Sequence, residues 1–165
     1  IRDRHNLAYY LYSAGRYHQA LALVPEVRAL HKELGNAVDV VRFKWLEAKI
    51  AQGHGELDSA EAAFCEVRDF FVERGISHDV AQVSLDLGTL YLRQGRIPEL
   101  KKLTTEILAL FVNLGIGREA IAALVLFQQA VEMEKVSFGL IRDLAVYLKN
   151  ARNNPHLPFR PSSRA

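Results

Sequence analysis

The 165-residue sequence contains one cysteine, one methionine, one tryptophan and five prolines. Each scarcity excludes something. Cys65 has no partner for an intramolecular disulfide and no second thiol for a structural zinc site. A chain without disulfides suits a reducing compartment, so a cytoplasmic location is expected. Five prolines and ten glycines are too few for a collagen-like or low-complexity chain. No uninterrupted apolar run approaches the ~20 residues a membrane-spanning helix needs, and no membrane partner is expected. There is no initiator methionine and no visible signal peptide, and "IRDRHNLAYYLY" already reads as helix. The sequence is therefore expected to be an excerpt of a longer protein.

An excess of one charge is also missing. Lys and Arg number 21 against 19 Asp and Glu, a net charge of +2 that points neither toward nor away from a polyanion. The end of the chain differs, because Lys149, Arg152, Arg160 and Arg164 meet no acidic residue there. Cations complementing a helix C-terminus, followed by a solvated tail, account for this. A polyanion contact is the alternative, but nucleic acid is not the expected partner of this domain.

What is present is a repeat. Gly15, Gly55 and Gly95 stand 40 residues apart, and so do Gly35, Gly75 and Gly115. Their surroundings agree: "AGRYHQA", "HGELDSA" and "QGRIPEL" share one turn, and "ELGNAVD", "ERGISHD" and "NLGIGRE" share another. Each unit reads as a helix, a tight glycine turn, a second helix and a glycine-terminated exit. Glycine suits the position past a helix end because it adopts the left-handed conformation without penalty. Apolar residues recur at helical spacing, as in Leu100, Leu103, Ile107, Leu110 and Phe111. Helices are predicted at about 2–14, 17–33, 37–53, 56–74, 78–94, 97–113, 117–133 and 137–152. The units run from about 1–39, 40–79, 80–119 and 120–153, with a tail at 154–165.

The fourth unit is atypical. Lys135 stands where the first glycine ladder calls for glycine. Ala8, Ala48 and Gly88 give way to Gln128, and Ala20 and Ala60 to Leu100 and Leu140. Terminal repeats lack a successor to pack against, so such departures are expected. In the tail, Leu157 and Phe159 are apolar residues among prolines and polar residues. They are expected to fold back over Leu144, Tyr147 and Leu148 as a cap, with a docking motif as the alternative.

The stretch Leu87, Gly88 and Tyr91 resembles the L-G-x-x-Y part of the tetratricopeptide repeat, and Ala60 with Phe64 resembles its A-x-x-x-F part. Leu7, Ala8 and Leu11 occupy the same places in the first unit, as do Ala20 and Val24. The period of 40 exceeds the usual ~34 and is similar to that of long-period repeats in bacterial regulators. The resemblance implies an all-α, right-handed superhelical α-solenoid of four hairpins. It also implies that Gly88 lets two helices of a hairpin approach closely.

No catalytic constellation is visible. His5, His18, His31, His54, His78 and His156 form no H-E-x-x-H motif and no i, i+4 pair. Cys65 lies mid-helix beside Phe64 and reads as a buried structural thiol. No phosphate-binding glycine loop occurs. The chain is expected not to be an enzyme and to need neither cofactor nor metal.

The resemblance places the first helix of each unit on the concave face. Its groove positions fall on Asn6, Tyr9 and Tyr12, with His5 beside them, then on Arg42, Trp45 and Lys49. They continue on Gln82, Asp86 and Thr89, and on Gln129. Tyr, Trp and Arg are the residues that most often carry interface energy. Trp45 either faces the groove or packs between first helices. Protein or peptide binding through this face is the expected function. A ligand- or peptide-sensing domain of a larger bacterial regulator, and a self-association module, are the alternatives.

Overall fold

The computed structural model describes residues 2–114 and 116–162. Gly115 of the second ladder and Arg164 of the basic end lie outside the described residues. The fold is all-α, with the helices in the order α1 (Arg2–Ser13), α2 (Tyr17–Leu34), α3 (Ala37–His54) and α4 (Leu57–Glu73), then α5 (Ser77–Arg93), α6 (Ile97–Asn113), α7 (Arg118–Glu132) and α8 (Phe138–Ala151). Every predicted helix is present, with ends displaced by no more than one residue.

The helix ends show why the repeat carries glycine. The backbone N–H of Arg16 donates to the carbonyl of Leu11 at 2.8 Å, and the same bond recurs at Glu56 to Ala51, Ile76 to Phe71 and Arg96 to Tyr91, each at 2.9 Å. This six-residue closure takes up a carbonyl that the helix end would otherwise leave open, and it needs a left-handed residue just before the donor. Gly15, Gly55, Gly75 and Gly95 fill that place, with φ between +64° and +96°.

Two positions depart from the ladder. Gly35 is extended, at φ −88° and ψ 155°, because Asn36 begins the next helix at once by accepting the N–H of Asp39. Glycine is needed at 35 for space instead, since a Cβ there would sit 2.5 Å from the His31 carbonyl oxygen. In the fourth unit the left-handed residue is Glu134, at φ +56°, and not Lys135. The helix α7 ends earlier, and Lys135 donates to the Ala130 carbonyl at 2.8 Å. A side chain in the left-handed region costs about 1–2 kcal/mol. Glu134→Gly should therefore raise stability in denaturant unfolding by about 0.5–1 kcal/mol, offset slightly by losing an exposed 3.8 Å pair with Lys101. Lys135→Gly should give no such gain.

Within a hairpin, one pair of positions sets how closely the helices approach. Ala8, Ala20, Ala48 and Ala60 are all fully or almost fully buried. In the third hairpin the large partner Leu100 is matched by Gly88, where a Cβ would meet Leu100 Cδ1 at 3.1 Å. Small plus small, or none plus large, conserves volume, as a close-packed interior requires. The fourth hairpin has Gln128 and Leu140, and neither is small. Gln128 turns its amide to Thr105 of α6, at 3.0 Å.

The chain divides into two compact units, residues 1–70 and 71–165. In the first, α1 packs on α2 and α3, and α2 packs on α3. Its core holds Ala8, Leu11, Ala20, Val24, Val27, Phe43, Leu46 and Ile50. Pro25 lies inside α2, on its exposed side. In the second, α5 packs on α6, α6 on α7, α7 on α8, and α8 returns to α5, closing a ring of four helices. Beyond α8 the tail folds back. The Phe159 ring lies 5.1 Å from that of Tyr147, and the Ser162 N–H donates to Asp143 at 2.7 Å. Leu157 and Phe159 are half-buried there.

Candidate functional site

In the first unit, the sequence-derived positions lie on α1 and α3, tyrosines and an amide on the first and a tryptophan with two cations on the second. Asn6 and Arg42 are exposed, and Tyr9 is 52% exposed. Tyr12, Trp45 and Lys49 are half-buried. Trp45 thus belongs wholly to neither of the two places considered for it. One part of the indole is covered, and the Lys49 ammonium sits 4.8 Å above the ring centroid. A cation over an indole is favourable by about 0.5–1 kcal/mol at exposed sites.

Tyr9 and Tyr12 have ring centroids 6.3 Å apart, and Tyr12 and Tyr17 6.1 Å. Tyr17, at the start of α2, lies against Gly53 near the end of α3, where a Cβ would come within 2.3 Å of its ring. Gly53 lies off both glycine ladders, and its part in seating a tyrosine could not be read from spacing.

The remaining sequence-derived positions lie in the second unit and behave differently. Gln82 donates its amide to the Ala145 carbonyl of α8 at 2.8 Å, so it is committed to the helix that covers this side of α5. Thr89 bonds the Leu85 carbonyl of its own helix at 2.9 Å. Asp86 is half-buried and Gln129 is exposed.

Histidines pair in ways that i, i+4 spacing does not reveal. His5 turns inward, and its Nδ1 lies 3.2 Å from Nε2 of His31. The His31 ring stacks on Phe43, with centroids 5.0 Å apart and planes 12° from parallel. Burial lowers the pKa of His31, against the opposing pull of Asp39 and Glu47. Burial, and then the neighbouring His31, lower that of His5. His31 Nδ1 is buried without a hydrogen-bond partner. Elsewhere, His54 Nε2 meets His18 Nδ1 at 3.1 Å, and His54 Nδ1 meets Glu56 Oε1 at 3.0 Å.

Between α2 and α3 lies a cleft of about 490 Å³ lined by Arg28, His31, Lys32, Val40, Phe43, Lys44 and Glu47. Arg28 holds Glu47 through two bonds of 2.9 and 3.2 Å, and Lys44 pairs with Glu66. The floor is apolar and the rim is charged.

In the second unit, burial and then the Arg152 charge lower the pKa of His78, while burial and the Glu119 charge raise that of Tyr147. Cys65 is half-buried and not fully buried as expected. Among the described residues, no group of three His, Cys, Asp or Glu side chains stands in a metal-holding arrangement. No helix among them is long and apolar enough to cross a membrane. Comparison with known proteins returns no matching family model and no significantly similar curated protein, so the functional reading rests on these faces alone.

Proposed function

We propose that this chain is a non-catalytic, tetratricopeptide-like binding domain that takes a protein or peptide segment on the α1 and α3 face of its first unit. The Lys49 ammonium over the half-exposed Trp45 ring carries the reading. Arg42 on the same helix, and Tyr9 and Tyr12 on α1, add the residue types that concentrate interface energy. Rigid rings contribute contact area with little loss of side-chain freedom.

The test begins with affinity capture from the source cell and mass spectrometry, repeated with an Arg42→Ala, Trp45→Ala and Lys49→Ala triple variant. A partner retained by the parent chain should bind the variant more weakly by about 2 kcal/mol or more in calorimetry. Helicity should be unchanged. Equal affinity of both proteins for every captured partner would remove this face from consideration.

A second reading, a ligand-sensing domain within a larger bacterial regulator, is favoured by the cleft between α2 and α3. Its volume of about 490 Å³ falls in the range of small-molecule sites. Protection of Val40 and Lys32 amides by a small molecule, without effect of the triple variant, would favour that reading over the first.

A further inference from the structure

We infer that the cleft between α2 and α3 takes a small organic acid, an apolar body carrying one carboxylate, which rests on the ligand-sensing reading and names its ligand class. The helices α6 and α7 occupy the same places two repeats on, and they pack on each other as α2 and α3 do. There the positions of His31, Lys44 and Glu47 hold Phe111, Leu124 and Phe127, none more than 1% exposed. Leu108 and Val112 stand in the places of Arg28 and Lys32. The repeat can thus close this junction with apolar side chains alone. The first junction has a polar residue at all five positions and an open cleft of about 490 Å³.

Packing does not explain the exchange at His31. The residue is 6% exposed, and its Nδ1 is buried without a hydrogen-bond partner. Folded proteins leave few buried polar atoms in that state, and phenylalanine at this position would leave none.

The residues that replace the apolar set define what fits. Arg28, His31 and Lys32 stand at i, i+3 and i+4 on α2, and Val40, Phe43, Lys44 and Glu47 at i, i+3, i+4 and i+7 on α3. Each set therefore shares one helix face. Val40 and Phe43, with the His31 ring stacked on Phe43, make the apolar floor, and Val40 is 38% exposed. Three cations and one carboxylate make the rim. Glu66 engages Lys44, so the cleft keeps an excess of one positive charge. One negative charge on a ligand balances it, and a second would face Glu47. Arg28 gives Nε and Nη2 to Glu47 and keeps the N–H groups of Nη1. Lys32, one turn further along α2, is exposed and makes no ion pair among the described residues. The ligand carboxylate accepts from Arg28 Nη1 and Lys32 Nζ, as charge-assisted bonds of the stronger kind. Its apolar body lies on Val40 and Phe43, which takes both surfaces out of water.

The test is titration of the full, isotope-labelled chain, followed by amide resonances. The probes are phenylpropionate, octanoate and naphthoate, the primary amide of each, and inorganic phosphate. At least one acid should shift the Lys32, Val40 and Lys44 amides, leave those of Tyr9 and Tyr12 in place, and bind about tenfold more tightly than its own amide. Phosphate, which has no apolar body, should not shift them. Lys32→Ala removes an exposed side chain and should weaken the acid by about threefold without changing affinity for the amide. Equal affinity for acid and amide would overturn the carboxylate while leaving the ligand-sensing reading in place. Phosphate binding at the cleft amides would overturn the apolar body, and unchanged acid binding by Lys32→Ala would overturn the placing of the charge. Shifts by the acids confined to residues outside the cleft would overturn the site. No response to any acid or amide would remove both the ligand class and the ligand-sensing reading.

Discussion

Phe43→Ala should destabilise the protein by about 3–5 kcal/mol, the usual cost of truncating a buried phenylalanine. Phe43 is 1% exposed and belongs to the core that joins α1, α2 and α3. Its ring also forms one wall around His31 and lies 5.7 Å from the ring of His5. A second effect follows from that contact. Burial lowers the pKa of both histidines in the folded protein, against about 6.5 in the unfolded chain. The unfolded state then binds more protons than the folded state below that value, so acidification from neutral pH lowers stability. Asp39 and Glu47 of α3 oppose this shift but do not reverse it. Opening the wall at Phe43 lets water reach the imidazoles and reduces the shift. The variant should be less stable at neutral pH yet lose less on going to pH ~5.5. Urea unfolding of both proteins across this range measures both effects. A parallel pH dependence in the two would show that Phe43 does not hold the histidines dry.

Much of this was legible because the repeat is written in backbone chemistry. Gly15, Gly55 and Gly95, forty residues apart, mark the same left-handed helix end, and the Arg16, Glu56 and Arg96 closures are the same bond in successive units. Helix boundaries followed from those marks. The residue types on α1 and α3 were legible in the sequence, and the positions that carry them came from the repeat resemblance. Three things were not legible. The pairing of His18 with His54 joins residues 36 apart, and no local pattern encodes a contact at that distance. Gly53 looks like any helical glycine until the Tyr17 ring is placed on it. The packing of α8 on α5 as well as on α7 joins parts of the chain far apart, as in the bond between Gln82 and Ala145, 63 residues from each other. Gln128 and Leu140 announced a different terminal hairpin, but periodicity carries no information on where a helix without a successor will settle.

Removing α8 and the tail, by ending the chain at residue 136, should unfold the second unit as a whole and leave the first helical. In an open stack of hairpins the last helix touches its neighbours at the end, and its loss frays only α7. Here α8 lies on both α7 and α5, and Gln82 of α5 is bonded to its backbone. Four of its large side chains, Ile141, Leu144, Tyr147 and Leu148, are at most 5% exposed. Burying such side chains contributes roughly 1.5–3 kcal/mol each, and the sum is comparable with the 5–15 kcal/mol by which a whole domain is stable. The four-helix ring cannot lose that and remain cooperative. Amide hydrogen exchange is the appropriate measurement, because it reports each helix separately. Protection should vanish at Val83, Leu85 and Leu87 of α5, far in sequence from the cut, while Phe43, Leu46 and Ile50 of α3 keep theirs. Leu144→Ala in the full chain isolates packing from truncation and should cost about 2–5 kcal/mol. If α5 kept full protection in the shortened chain and only α7 lost it, the ring would be refuted, and α8 would be an ordinary end of an open stack.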